Sequence, residues 1–141
     1  MKSKLLTLGL LSALVWLGIN RSLALEGAVV IANESVPMNS ISPDALKNIY
    51  NAKTAYWQGG QTIVIVVLAD KTNSALKEAS GMDESHFKTF WQRLAFSGRG
   101  KLPQKVDDAA EVVTLVASTK GAIALVPPDT DLKGVKKLEV K

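Results

Sequence analysis

Three short, unbroken apolar runs constrain this chain most: Ala28-Val29-Val30-Ile31-Ala32, Ile63 to Leu68 within the strand read over Thr62 to Leu68, and Ala122 to Val126. A strand with one wet face alternates polar and apolar residues. A run without alternation suits a strand covered on both faces, and the second run is nearly all β-branched. Helical patterns fill the intervals. Ser42-Pro43-Asp44 is a strong helix start, with a capping hydroxyl, a proline at the first helical position and an acid at the positive helix end. Leu46, Ile49 and Tyr50 follow at helical spacing, and Trp57-Gln58-Gly59-Gly60 reads as a turn. A loop over Ala69 to Asn73 leads into a short helix over Ser74 to Ser80, stopped by Gly81. Phe87, Phe90, Trp91 and Leu94 form one apolar stripe on a helix from Asp83 to Ala95.

After a loop over Ser97 to Pro103, Asp108-Ala109-Ala110-Glu111 resembles a capping box. It opens a helix whose Val112, Leu115, Val116 and Thr119 share a face, with Lys120-Gly121 as its end. Pro127-Pro128 stops the third run, and the weak alternation of Val135 to Val140 predicts a final edge strand. Strands separated by helices predict an α/β fold: a single three-layer lobe with a mostly parallel sheet flanked by helices. No repeat, low-complexity tract or long linker divides it.

The first residues read as a secretory signal. Lys2 and Lys4 form a basic start, Leu5 to Ile19 is uncharged and mostly apolar, and Ser22-Leu23-Ala24 offers small residues for cleavage. The alternative is an uncleaved anchor, but a spanning helix needs about 20 apolar residues and Asn20-Arg21 interrupts this stretch. The organisation expected is a signal peptide over 1–24 and one domain over 25–141, exported to the periplasm or beyond and not membrane-spanning after cleavage. With no cysteine, neither a disulfide framework nor attachment of lipid through an N-terminal cysteine is available. Of the 17 basic residues, Lys2, Lys4 and Arg21 leave with the signal, so 14 remain against 13 acidic ones, a net charge of +1. That near-balance removes the compositional argument for a nucleic-acid partner.

Ile49-Tyr50-Asn51-Ala52-Lys53-Thr54-Ala55-Tyr56-Trp57 resembles an Ile-Phe-x-Gly-Lys-x-x-x-Trp stretch of the periplasmic phosphate-binding proteins of ABC importers. In that family it ends a helix before a buried strand. Trp91 to Gly100 is similar to the Trp-x-x-x-x-Phe-x-Gly-x-Gly pattern of short, single-lobe members. Gly121-Ala122-Ile123-Ala124-Leu125 is similar to Gly-Ala-Ile-Gly-Tyr near their return strand. The resemblance covers most of residues 25–141 and implies a lobe like those of the type 2 periplasmic binding proteins.

It also implies a site. In that family the loop after the second strand meets an oxyanion at a helix N-terminus, where unpaired N–H groups and the positive dipole end hold an anion without a full counter-charge. The corresponding residues are Asp70, Thr72, Asn73, Ser74 and Lys77. Asp70 matches an acidic position, Thr72 and Ser74 keep hydroxyls, and Lys77 is a substitute donor. Asn73 replaces a glycine, and Leu68 stands where two-lobed members carry a phosphate-binding arginine. From the residues alone, a loop over 70–74 that merely caps a helix is an equal alternative.

The resemblance thus implies an exported solute-binding protein that takes phosphate or another small oxyanion, working with an ABC permease or a signalling partner. The alternative is a one-lobe interaction or sensory module without ligand. A lone lobe leaves its ligand on an open face, so it binds weakly, forms a homodimer to complete the cleft, or has another task. No cofactor is expected. Gly98-Arg99-Gly100-Lys101 fails as a phosphate loop because Ala95 and Leu102 occupy its required glycine and hydroxyl positions. His86 is the only histidine, which argues against zinc, and a Ser-His-Asp triad built on it lacks a Gly-x-Ser-x-Gly pattern to support it. No catalytic residue and no metal ligand is assigned, and an enzyme is not expected.

Overall fold

The computed structural model describes residues 25–141, so the expected signal lies outside the described residues. The three apolar runs become β1 (Val29–Ala32), β3 (Val64–Leu68) and β5 (Ala122–Val126). They form the middle of a six-stranded sheet in the order β2-β6-β1-β5-β3-β4. The additional strands are β2 (Ser40–Ile41), β4 (Gln104–Val106) and β6 (Lys136–Val140). β3 runs parallel to β4 and β5, and β2 runs parallel to β6, whereas β1 lies antiparallel to both its neighbours.

The helices are α1 (Pro43–Tyr50), α2 (Asn73–Ser80), α3 (Glu84–Phe96) and α4 (Ala109–Ser118). α1 and α4 start where their sequence signals place them, and three of the four helices carry a side-chain cap. The Ser42 hydroxyl accepts from the Ala45 amide at 3.1 Å, Asp83 from His86 at 2.8 Å, and Asp108 from Ala110 at 2.8 Å.

Pleating sends alternate side chains to opposite faces of the sheet. Val30, Ala32, Ile65, Ile123 and Leu125 join a core shared with α1, α2 and α3. Ile31, Val66, Leu68, Ala122, Ala124 and Val126 join a second core with Val112, Val113 and Val116 of α4. The result is the expected arrangement of helices on both faces of a mostly parallel sheet. Burial on both sides explains why the central strands show no polar alternation.

Two details differ from expectation. β6 is an inner strand, because the two-residue β2 pairs along its outer side. β2 and β4 escape sequence reading because strands of two and three residues present no run, and Gln104 and Lys105 of β4 are both exposed.

Candidate functional site

The loop after β3 sits at the carboxyl end of that strand, where open α/β sheets meet ligands. Asp70 is exposed and holds a left-handed backbone conformation with φ 63°, which aspartate tolerates better than most residues. This turn reverses the chain so that α2 starts at Asn73. Leu76 then donates its amide to the Thr72 carbonyl at 2.8 Å.

α2 differs from the other three helices in having no side-chain cap at its start. Thr72 occupies the cap position, but it is buried and its hydroxyl donates to the Leu68 carbonyl at 3.4 Å. Ala75 is fully buried as well. Of the first-turn residues, Asn73 and Ser74 are the ones that reach solvent.

The structure brings Asn73, Ser74 and Lys77 together along one open groove of about 440 Å³. Asp70 and Thr72 do not line it. Its remaining wall is Asp83, Glu84 and Ser85 from the start of α3, residues that sequence reasoning did not include. Nothing local in the sequence signals that pairing, since it depends on how α3 turns back beside α2. Glu84 accepts from the Asn73 amide group at 3.0 Å and from Lys105 at 3.2 Å. The Asp83 carboxyl is held below its ordinary pKa chiefly by the His86 backbone amide, with the His86 side chain and the more distant Lys77 adding to the effect. Lys77 therefore faces two carboxylates across the groove, which weakens its hold on any incoming anion.

Leu68 is almost fully buried within the α4-side core. Its side chain packs beneath the sheet, so the position has become part of the hydrophobic interior. Among the described residues, no group of three or more His, Asp and Glu side chains could hold a metal ion.

The second region of resemblance is fastened by two indoles. Trp57 is buried and its Nε1–H donates to the Gly121 carbonyl at 2.9 Å, which anchors the turn before β3 to the start of β5. Trp91 donates to the Tyr50 carbonyl at 3.1 Å, tying α3 to the end of α1. Gly121 has φ 77°, and a Cβ there would lie 2.1 Å from the Thr62 carbonyl oxygen. Only glycine fits this crossing.

No protein-family model matches the chain, and no curated protein sequence matches it. Solved structures do match. A candidate phosphate ABC transporter substrate-binding protein from Clostridium perfringens, solved with bound phosphate, superposes with a TM-score of 0.62 at 21% identity. The match covers 81% of this chain and 44% of that one. The fold is PstS-like. An ABC-type phosphate transport receptor from Vibrio cholerae matches with a TM-score of 0.54 at 18% identity, over 79% of this chain and 45% of that one. PstS from Borrelia burgdorferi gives a TM-score of 0.54 at 14% identity, over 82% of this chain and 47% of its own. The chain thus spans less than half the length of each of these neighbours, and no described helix is long and apolar enough to cross a membrane.

Proposed function

We propose that this protein is an exported, non-enzymatic one-lobe relative of phosphate-type solute-binding proteins. In this reading residues 1–24 are a cleaved signal and residues 25–141 form the working domain. It holds phosphate or a similar oxyanion weakly at the start of α2. The observation that carries the reading is the first turn of α2, which lacks a side-chain cap beside exposed Ser74 and Lys77. Unpaired amides with a hydroxyl and an ammonium alongside suit a small tetrahedral anion. Ser74, Asn73 and Lys77 are its closest contacts, with Thr72 supporting the turn from below and Asp70 flanking it.

The groove is open and carries Asp83 and Glu84, so affinity is low and falls steeply with salt. A second copy or a separate lobe closing over this face would strengthen it, and an ABC permease is the corresponding partner. Calorimetric titration with phosphate and sulfate tests the proposal. Binding at millimolar ligand that is lost in Lys77→Ala supports it. A folded sample giving no heat removes it. N-terminal sequencing of protein recovered outside the cytoplasm should begin at Leu25, and an intact leader would reject the export part.

A second reading is favoured by Leu68, which is buried in the core at the position where resembling proteins carry an arginine. On that reading the lobe is an interaction or sensory module that keeps the fold without the ligand. Absent binding, together with a partner recovered from periplasmic extract, would select it.

A further inference from the structure

The chain's charge is segregated. Residues 85–105 carry five basic side chains, Lys88, Arg93, Arg99, Lys101 and Lys105, and no acidic one, whereas the other described residues carry nine basic and thirteen acidic. Within this stretch Phe96, the last residue of α3, is 97% exposed, and Leu102 is 51% exposed. Phe96 follows Trp91 by five positions, so it projects about 140° round the helix from that buried ring. Nothing in the core calls for a phenylalanine there.

The helix ends in a fixed geometry. Gly98, with φ 72°, donates to the Ala95 carbonyl at 3.1 Å, and Arg99 donates to the Leu94 carbonyl at 2.9 Å. This paired pattern is a Schellman cap, and it sets Arg99 beside the end of α3. Arg93 stands one turn before Phe96 on the same helix. Arg93 and Arg99 line one open groove, while Arg99, Lys101, Leu102 and the exposed Tyr56 line the next. Among the described residues, no carboxylate lies within ion-pairing distance of Arg93, Arg99 or Lys101.

We propose that the end of α3 and its following turn form a docking surface for an anionic lipid membrane, with Phe96 entering the headgroup layer and Arg93, Arg99 and Lys101 engaging lipid phosphates. A projecting apolar side chain flanked along the chain by unpaired cations complements a surface that is apolar below and negative above. A nucleic acid would use the cations and gain little from Phe96 and Leu102. A folded protein of ordinary interface size would need a shaped counter-surface of about 800 Å². A fluid bilayer needs neither.

The absence of native cysteine makes the test clean. Full-length Phe96→Cys, labelled with an environment-sensitive NBD dye, is mixed with phosphatidylglycerol-rich or phosphatidylcholine vesicles. Thr114→Cys, on exposed α4 across the sheet, is the matched control and reports any delivery by the N-terminal segment. The expected result is a blue shift and a several-fold rise in emission for position 96 on anionic vesicles alone. Replacing Arg93, Arg99 and Lys101 by serine in the same background should reduce partitioning roughly a hundredfold. Circular dichroism verifies that each variant is folded, and single replacements stand in if the triple variant is not. Equal response to both vesicle types, an equal shift at position 114, or persistence of the shift without the cations overturns the proposal. So does an equivalent shift with polyglutamate, or one that grows with protein concentration without lipid, since these would mark an acidic protein or a second copy as the occupant.

Discussion

The corner from Tyr50 to Trp57 and the loop from Leu68 to Lys77 both resemble the same family, yet the structure treats them differently. At the corner, the residues that match are fastened: Trp57 reaches the Gly121 carbonyl, and Trp91 reaches the Tyr50 carbonyl. At the loop, the departures bear on ligand chemistry. Leu68 is buried in the α4-side core, Asn73 is bound to Glu84, and Lys77 faces Asp83 and Glu84. Packing constraints hold a fold together whatever the loop binds. A likeness in the packed corner therefore speaks for the fold and leaves the chemistry of the loop to be argued from its own residues.

The strongest test of that contrast is Leu68→Arg. If the loop had merely lost a donor, restoring arginine should restore phosphate affinity. Because position 68 points into the core, the guanidinium would instead be buried without a partner, at a cost of roughly 4–5 kcal/mol. Loss of cooperative thermal unfolding is the expected outcome, and a folded variant with tighter phosphate binding would break the comparison. Gly121→Ala probes the corner next. Its Cβ would meet the Thr62 carbonyl in a left-handed conformation, so destabilisation of about 3 kcal/mol is expected in denaturant titration. An effect below about 1 kcal/mol would show that the crossing is not rigid.

Much of this was legible in the chain. Continuous apolar runs give β1, β3 and β5, because burial on both faces leaves no polar alternation to obscure them. The caps at Ser42 and Asp108 act within a few residues, so their signals are local. What the sequence hid was non-local. The pairing of β2 with β6 joins residues about a hundred positions apart, and the approach of Glu84 to Asn73 depends on the crossing of α3 beside α2. The loop that opens α2 was therefore legible in the chain, and the carboxylates of Asp83 and Glu84 that share its groove were not.

Tyr50 brings a smaller effect of opposite sign. The resembling pattern has phenylalanine at this position, and here the buried Tyr50 Oη has no hydrogen-bond partner among the described residues. Tyr50→Phe removes that unpaired group and should stabilise the protein by about 1 kcal/mol. The same burial pushes the phenol well above its ordinary pKa. The unfolded chain would release that proton near pH ~10 while the folded chain keeps it, so native stability falls as pH rises past that point. The slope from this group is at most roughly 1.4 kcal/mol per pH unit. Melting curves of wild type and Tyr50→Phe should coincide in slope below that range and diverge above it, with the variant the more stable. Parallel curves would mean that the phenol ionises in place.

Ala52 carries the smallest effect. It occupies the glycine position of the same pattern and sits at φ 59°, where its Cβ crowds the backbone. The turn holds it there, since the Ala52 amide donates to Ile49 at 3.1 Å and the next amide, Lys53, donates to Asn48 at 2.8 Å. Relief of left-handed strain favours Ala52→Gly by about 1 kcal/mol, and the greater freedom of glycine in the unfolded chain takes back part of that. The net expectation is a gain of about 0.5 kcal/mol, readable as a small rise in denaturation midpoint with unchanged slope. A loss would mean that the side chain's contact with the neighbouring core outweighs the strain, because Ala52 is half-buried against it. In that case the corner would tolerate departure from its pattern by repacking, and its contrast with the α2 loop would be one of degree.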